Sequence, residues 1–356
     1  MQVILGLLYH FIGGFASGSF YIPFKRVKKW AWETYWLVGG VFSWLIVPPL
    51  GATLTAPGWL DTLAGAETST LMYTYLMGAL WGIGGLTFGL TMRYLGLSLG
   101  MAIVLGFCSA FGTLIPPIYY EFFGVQGNAK TISELLSTAS GQVIFAGVLL
   151  CLAGIAICGK AGMMKEKELS PEQKTANIQE FNFPKGLLVA IFSGILSAFM
   201  SFGYETGKPI AEATVAKGID PLWQNNPTLV VILLGGLSTN LIWCLYLNIR
   251  NRTFGDYVNP AAPLARNYLF SAIAGTTWYL QFFFYGMGES LFAANGLGFS
   301  SWTLHMAFII IVSNIWGIYF HEWKGASAKT MRIIILGIAT VIASTIVVGI
   351  GNYLAG

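Results

Sequence analysis

Apolar runs about as long as a bilayer is thick recur along nearly the whole chain, and no other feature constrains its fold so tightly. A hydrocarbon core of about 30 Å is crossed by roughly 20 helical residues, because a helix rises about 1.5 Å per residue. No water satisfies the backbone there, so a crossing segment must bond its own N–H and C=O groups. By that ruler ten runs qualify: 2–24, 35–56, 72–93, 97–120, 138–159, 185–206, 227–249, 266–288, 293–320 and 331–354. A soluble globule is excluded. Charged residues are 10% of the chain and mean hydropathy is +0.67, whereas soluble domains carry roughly 25% charge. The expected fold is an all-α integral membrane protein with ten transmembrane helices. The first run lacks the positive leader of a signal peptide and reads as a retained span.

The polar stretch 160–184 divides the runs five and five, predicting a first repeat over 1–159, a cytoplasmic linker, and a second repeat over 185–356. Gly6, Leu7 and Leu8 match Gly186, Leu187 and Leu188, while Gly14 and Ser17 match Gly194 and Ser197, all 180 residues on. Leu76, Ala79 and Gly82 match Leu269, Ala272 and Gly275 at an offset of 193, and Glu121 and Gly124 match Glu322 and Gly325 at 201. An odd number of crossings per repeat forces the second half in upside down. Inverted repeats with a site at their interface are a recurring transporter architecture, since rocking one half against the other exposes the site to each side in turn.

Orientation follows from Lys and Arg. The odd-numbered loops hold all of these residues except Lys130, Lys208 and Lys217, which is 16 of 19. With those loops cytoplasmic, both termini face the periplasm. The net charge of +4 is confined to the loops and does not point to nucleic acid. Trp30, Trp32, Trp36 and Trp323 flank cytoplasmic edges as an aromatic belt would.

Polar side chains within the apolar runs are the candidates for function, because lipid penalises them. From Thr276 to Met306 the chain carries Trp278, Tyr279, Gln281, Tyr285, Glu289, Asn295, Ser301, Trp302 and His305. Trp278, Gln281 and Tyr285 share one helical face at i, i+3 and i+7, and Ser301 and His305 are one turn apart. Aromatic rings stack on sugar C–H faces while amide, hydroxyl and imidazole groups bond sugar hydroxyls. His10 lies in a row with Gly14, Ser17 and Tyr21. His305, His10 and Gln281 fall about 18, 12 and 9 Å below the outer edge, within reach of one chamber. Imidazole suits proton coupling, since its free pKa of about 6.5 is easily moved across physiological pH; a buried structural histidine is the alternative for both. Glu205, beside Lys208 at the outer end of the sixth run, is a third coupling candidate or else half of an interfacial ion pair.

Other polar positions read as structural. Arg93 is placed to snorkel toward phosphates, and Pro116–Pro117 should bend the fourth run by removing backbone donors. Trp81 with Gly82, Gly84 and Gly85 makes a thin packing surface. The four cysteines, Cys108, Cys151, Cys158 and Cys244, lie within apolar runs as inert thiols. No phosphate loop of Walker type and no metal-ligand cluster is present in the sequence, so neither ATP hydrolysis, an enzyme reaction nor a metal cofactor is expected.

Four strings carry a resemblance: FYIPFKRVKKWAWETYWLVGG (20–40), FGLTMRYLGLSLG (88–100), WYLQFFFYGMG (278–288) and SSWTLHMAF (300–308). They are similar to the bacterial L-rhamnose–proton symporters of the drug/metabolite transporter superfamily. The resemblance implies a ten-helix inner-membrane carrier with inverted five-helix halves, importing a deoxy sugar. It also implies the proton as coupling ion; separately, no obligate protein partner is expected. Glu289–Phe299 and Tyr204–Gly207 depart from the pattern near the outer mouth, which keeps a relative of rhamnose such as fucose open. An exporter of amino acids or other metabolites is the alternative on the same scaffold.

Overall fold

Along most of the first helix of this protein bulky residues point outward and small ones inward, the reverse of a soluble core. In α1 (Gln2–Phe24) the buried positions include Gly6, His10, Gly13, Gly14 and Ser17, at helical spacing, while Ile4, Leu8, Phe11 and Phe15 are exposed. Lipid solvates the large apolar side chains as well as a protein interior would, so small residues gain by letting backbones approach. The computed structural model describes residues 2–123, 131–168, 181–294 and 298–354, which are helical without any strand. After α1 come α2 (Trp32–Thr55), α3 (Thr68–Leu95), α4 (Leu97–Phe123), α5 (Ala139–Glu168), α6 (Phe183–Ala216) and α7 (Pro221–Asn251). Then follow α8 (Leu264–Ala293), α9 (Gly298–Tyr319) and α10 (Ala328–Tyr353). Seven of these, α1, α2, α3, α5, α6, α7 and α10, are long and apolar enough to cross a membrane. The chain is a multi-pass membrane protein. Shorter apolar stretches lie in α4 and α9, at Leu99–Gly112 and Leu304–Tyr319, and α8 is a 30-residue helix that carries Gln281 and Glu289.

Three helices are interrupted. α2 widens to a π turn over Val41–Ile46. Pro48 and Pro49 have no N–H to donate to the carbonyls four residues back, and a wide turn accommodates the loss. α1 pauses at Phe20 and α6 at Ala198, and α6 breaks again at Gly207, so Glu205 and Lys208 do not share one continuous helix.

The packing sets α1 against α8 and α9, α6 against α3 and α4, α2 against α8, α7 against α3, and α10 along α5. A Cβ on Gly14 of α1 would lie 2.5 Å from Phe308 Cβ of α9, and one on Gly194 of α6 would lie 2.5 Å from Phe107 Cβ of α4. At the centre, Trp278 is ringed by Phe20, Trp36, Trp44 and Trp81, with ring centroids 4.3, 5.0, 6.0 and 6.4 Å away.

Several expectations need correction. α5 does not stop at 159 but runs through the start of the expected linker to Glu168, because Lys and Glu are good helix formers that continue a helix beyond the apolar region. Residues 169–180 of that linker lie outside the described residues, as does Asn295. The backbone of α4 is helical through Pro116 and Pro117, whose side chains are also outside the described residues. The tryptophan belt is mostly interior: Trp30, Trp36 and Trp323 are buried, and the Trp36 indole N–H donates to Asn240 Oδ1 at 2.9 Å.

Candidate functional site

The interruptions of α1 and α6 flank a cavity with about 60 Å³ of water-accessible space. α1 contributes Ser17 and Phe20, α3 contributes Trp81, Gly85 and Phe88, and α6 contributes Ser197. Leu105 and Cys108 come from α4, Trp278, Gln281 and Phe282 from α8, and Trp302, Met306 and Ile309 from α9. The wall is therefore aromatic and aliphatic, with a few polar groups, Gln281, Ser17 and Ser197, set into it. Apolar walls with a small number of placed polar groups characterise sites for small ligands. Indole faces suit the C–H face of a sugar, while an amide and two hydroxyls can donate to and accept from its hydroxyls. The Trp302 indole nitrogen is buried and has no hydrogen-bond partner among the described residues.

Beside this cavity is a second, drier cluster. Ser301 Oγ lies 2.8 Å from His10 Nε2, and the His10 and His305 rings are 5.9 Å apart. Tyr285 touches both imidazoles, at ring distances of 5.6 Å to His10 and 5.2 Å to His305, and packs edge-on to Trp302 at 5.5 Å. The cluster is fully buried: His10 and Ser301 are 0% exposed and His305 1%. Three imidazole nitrogens, His10 Nδ1 and both of His305, have no hydrogen-bond partner among the described residues. Buried polar atoms are seldom left so, and an orphaned group calls for a reason such as a mobile proton or an exchangeable water. Gly13 makes the arrangement possible, since a Cβ there would lie 2.9 Å from both the Gln281 carbonyl oxygen and His305 Cε1.

The sequence candidates therefore divide in two. Trp278, Gln281 and Trp302 line the cavity, while Tyr285, Ser301, His305 and His10 form the adjoining cluster. Tyr285, one turn from Gln281, connects them. Glu205 and Lys208 are exposed on α6, and Arg93 is exposed in the last turn of α3. No group of three or more metal-ligating side chains occurs among the described residues. Sequence reasoning assigned Trp81 to packing, yet it is cavity wall. It gave no role to Asn240, which accepts from Trp36 and donates to the Gly82 and Gly236 carbonyls at 3.0 and 2.8 Å, tying α2, α3 and α7 together. An Asn near the middle of a mostly apolar run was the available signal.

The family model for L-rhamnose-proton symport protein (RhaT) matches residues 1–354. The chain belongs to the RhaT family. Among the family's members, an L-rhamnose-proton symporter of Cronobacter sakazakii is 39% identical over 352 residues, covering 98% of each chain. One from Shigella boydii is 39% identical and one from Escherichia coli 38%, each again over 98% of both chains. RhaT membership places this chain among transporters rather than enzymes, and the exporter alternative finds no support in these relatives.

Proposed function

We propose that this chain imports L-rhamnose or a close 6-deoxyhexose across the bacterial inner membrane together with a proton, by alternating access. One observation carries the reading: a sugar-type cavity bearing Gln281 adjoins a buried imidazole pair, and Tyr285, one turn along α8, contacts both imidazoles. Trp278, Trp302 and Trp81 supply the stacking faces, and Gln281, Ser17 and Ser197 meet the hydroxyls. His305 and His10 hold the coupling proton; charge on one ring opposes charge on the other at 5.9 Å, so the pair acts as a one-proton site. A ligand moves a conformational equilibrium only through its different affinities for the two states. Protonation beside the cavity meets that condition, because the same wall senses both sugar and charge.

The architecture we infer has ten crossings in two inverted halves, 1–159 and 185–356, with basic loops cytoplasmic and both termini periplasmic. The helix contacts support it through a shared register. Adding 180 in α1, 197 in α3 and 201 in α4 turns one set of contacts into the other. Gly14 against Phe308 becomes Gly194 against Phe107; Gly6 against Phe292 becomes Gly186 against Leu95. The cavity wall follows the same relation, with Ser17 and Ser197, Trp81 and Trp278, Leu105 and Met306, and Cys108 and Ile309 as mates. The polar cluster does not: the mates of His10, Gln281, Tyr285, Ser301 and His305 are Ala190, Gly84, Phe88, Gly100 and Val104. The fold can evidently be built without imidazoles there, which favours a functional role for them.

Uptake into proteoliposomes tests the proposal. L-Rhamnose should accumulate when the outside is acidic, and a protonophore should collapse that accumulation. Efflux of another metabolite without any response to sugar would end it. A thermal-shift comparison of rhamnose, fucose, lyxose and mannose identifies the sugar.

A further inference from the structure

α8 carries one more titratable group on the face that holds Gln281 and Tyr285. Glu289 is one turn beyond Tyr285, and it is half-buried. Its Oε2 accepts from Asn225 Nδ2 at 3.0 Å, in the segment that opens α7. Residues one turn apart on a helix are surface neighbours, with Cβ atoms about 5–6 Å apart. The preceding residue, Gly288, packs directly on the His10 ring, where a Cβ would lie 2.8 Å from Nε2. The Tyr285 ring packs on the His10 ring at 5.6 Å, and Ser301 Oγ is 2.8 Å from His10 Nε2. Carboxylate, phenol, hydroxyl and imidazole thus follow one another from the α8 end toward the cavity.

We propose that Glu289 is the carboxylate through which the coupling proton enters the His10–His305 pair, with the Tyr285 and Ser301 hydroxyls as relay. The inference rests on the proton-coupled reading above. A proton from external water adds to the Glu289 carboxylate, while Asn225 holds its Oε2. The carboxylic acid then gives a proton to the Tyr285 oxygen as Tyr285 passes its own to Ser301 Oγ. Ser301 in turn delivers its proton to His10 Nε2. Each hydroxyl ends as it began, the carboxylate is regenerated, and the net change is one proton on imidazole.

Two further observations support the assignment. The mate of Glu289 in the other half, 197 residues earlier, is Met92, a buried residue, so the scaffold does not require a carboxylate at this position. The groups facing Glu289 also suit a proton entry point. From α6 they are Tyr204, Glu205 and Lys208, of which the exposed Glu205 and Lys208 bring one negative and one positive charge to bear on it. Asn225 faces it from the start of α7, Tyr285 from α8 itself, and His10 lies beyond Gly288 on α1.

The experiment measures sugar-evoked proton uptake, driven accumulation and L-rhamnose counterflow in proteoliposomes. Wild-type protein that moves sugar without any proton signal overturns the symport reading and this inference with it. Where wild type takes up protons, E289Q should lower the initial rate of acid-driven accumulation at least roughly tenfold and still exchange sugar by counterflow. E289Q with wild-type accumulation and pH profile overturns the assignment while leaving symport intact. Should E289Q fail to fold, E289D decides: a displaced pH profile of driven uptake supports the relay, and an unchanged one refutes it.

Discussion

Ser301 Oγ and His10 Nε2 meet at 2.8 Å, joining α9 to α1 beside the cavity across 291 residues of sequence. This is the one hydrogen bond to either imidazole ring given by the described residues, since the other three ring nitrogens have none. Ser301→Ala would leave all four unpaired. Orphaning a buried polar group costs about 1–3 kcal/mol, so we expect a lower unfolding temperature in detergent. Because the two residues share one bond, the His10→Ala/Ser301→Ala double variant should lose less stability than the two single losses combined. Full additivity would show that the contact carries no energy.

Gln281 is 6% exposed and lines the cavity among aromatic neighbours. If Gln281 holds the sugar as proposed, removing its amide takes away one or two hydrogen bonds to it without opening the helix packing. Gln281→Ala should weaken L-rhamnose binding about tenfold, the equivalent of about 1.4 kcal/mol, with little change in unfolding temperature. Calorimetric titration measures this, and an unchanged affinity would remove Gln281 from the site.

His305 sits behind the same wall, in contact with Tyr285 and 5.9 Å from His10. If it shares the coupling proton, His305→Ala should abolish accumulation under a pH gradient while permitting sugar exchange. Persistent accumulation would move coupling to Glu289 and His10 alone.

Helix positions were legible because the bilayer supplies a ruler that lipid enforces, and the inward face of α8 was legible because Trp278, Gln281 and Tyr285, all buried, recur at helical spacing. Register was harder. The match of Gly82 with Gly275 is one turn away from the contacts, which equate Gly78 with Gly275: each meets a backbone carbonyl, of Ile232 and Gly39 respectively. α3 repeats small residues at Gly78, Gly82, Gly85 and Gly89, so a slip of one turn loses few matches. Contacts between distant segments were not legible at all. Nothing local pairs Trp36 with Asn240, 204 residues on, or sends three expected interfacial tryptophans inward. A tryptophan string reads alike whether lipid or protein receives it.

Outside the membrane, Glu168 at the end of α5 caps α10. Its carboxylate accepts from Ser327 N at 2.9 Å, Ser327 Oγ at 2.8 Å and Thr330 Oγ1 at 2.7 Å. These bonds, the Ser327 backbone N–H foremost, hold its carboxyl below the usual carboxylate range. A group with a depressed native pKa stabilises fully above its unfolded value, about 4.3 for Glu, and loses that stabilisation as pH falls through the lowered one. Glu168→Gln should therefore unfold at lower temperature than wild type at neutral pH, and the two should converge in acid below about pH 4. A gap that persists at low pH would mean that shape, not charge, sustains the cap.

The closest approach of α2 and α8 is backbone against backbone. A Cβ on Gly275 would collide with the Gly39 carbonyl oxygen, and one on Gly78 with the Ile232 carbonyl oxygen where α3 crosses α7. No side-chain rotamer relieves such a contact, so the helices must separate. Overpacking of this kind costs about 1–3 kcal/mol. Gly275→Ala and Gly78→Ala should each destabilise by that amount, whereas Gly255→Ala, where a Cβ meets nothing within 4 Å, should stay within about 0.5 kcal/mol of wild type. Thermal unfolding of the three variants in one detergent makes the comparison. Similar losses at 78 and 275 are what two equivalent halves require; tolerance at one and collapse at the other would break the proposed correspondence between α3 and α8.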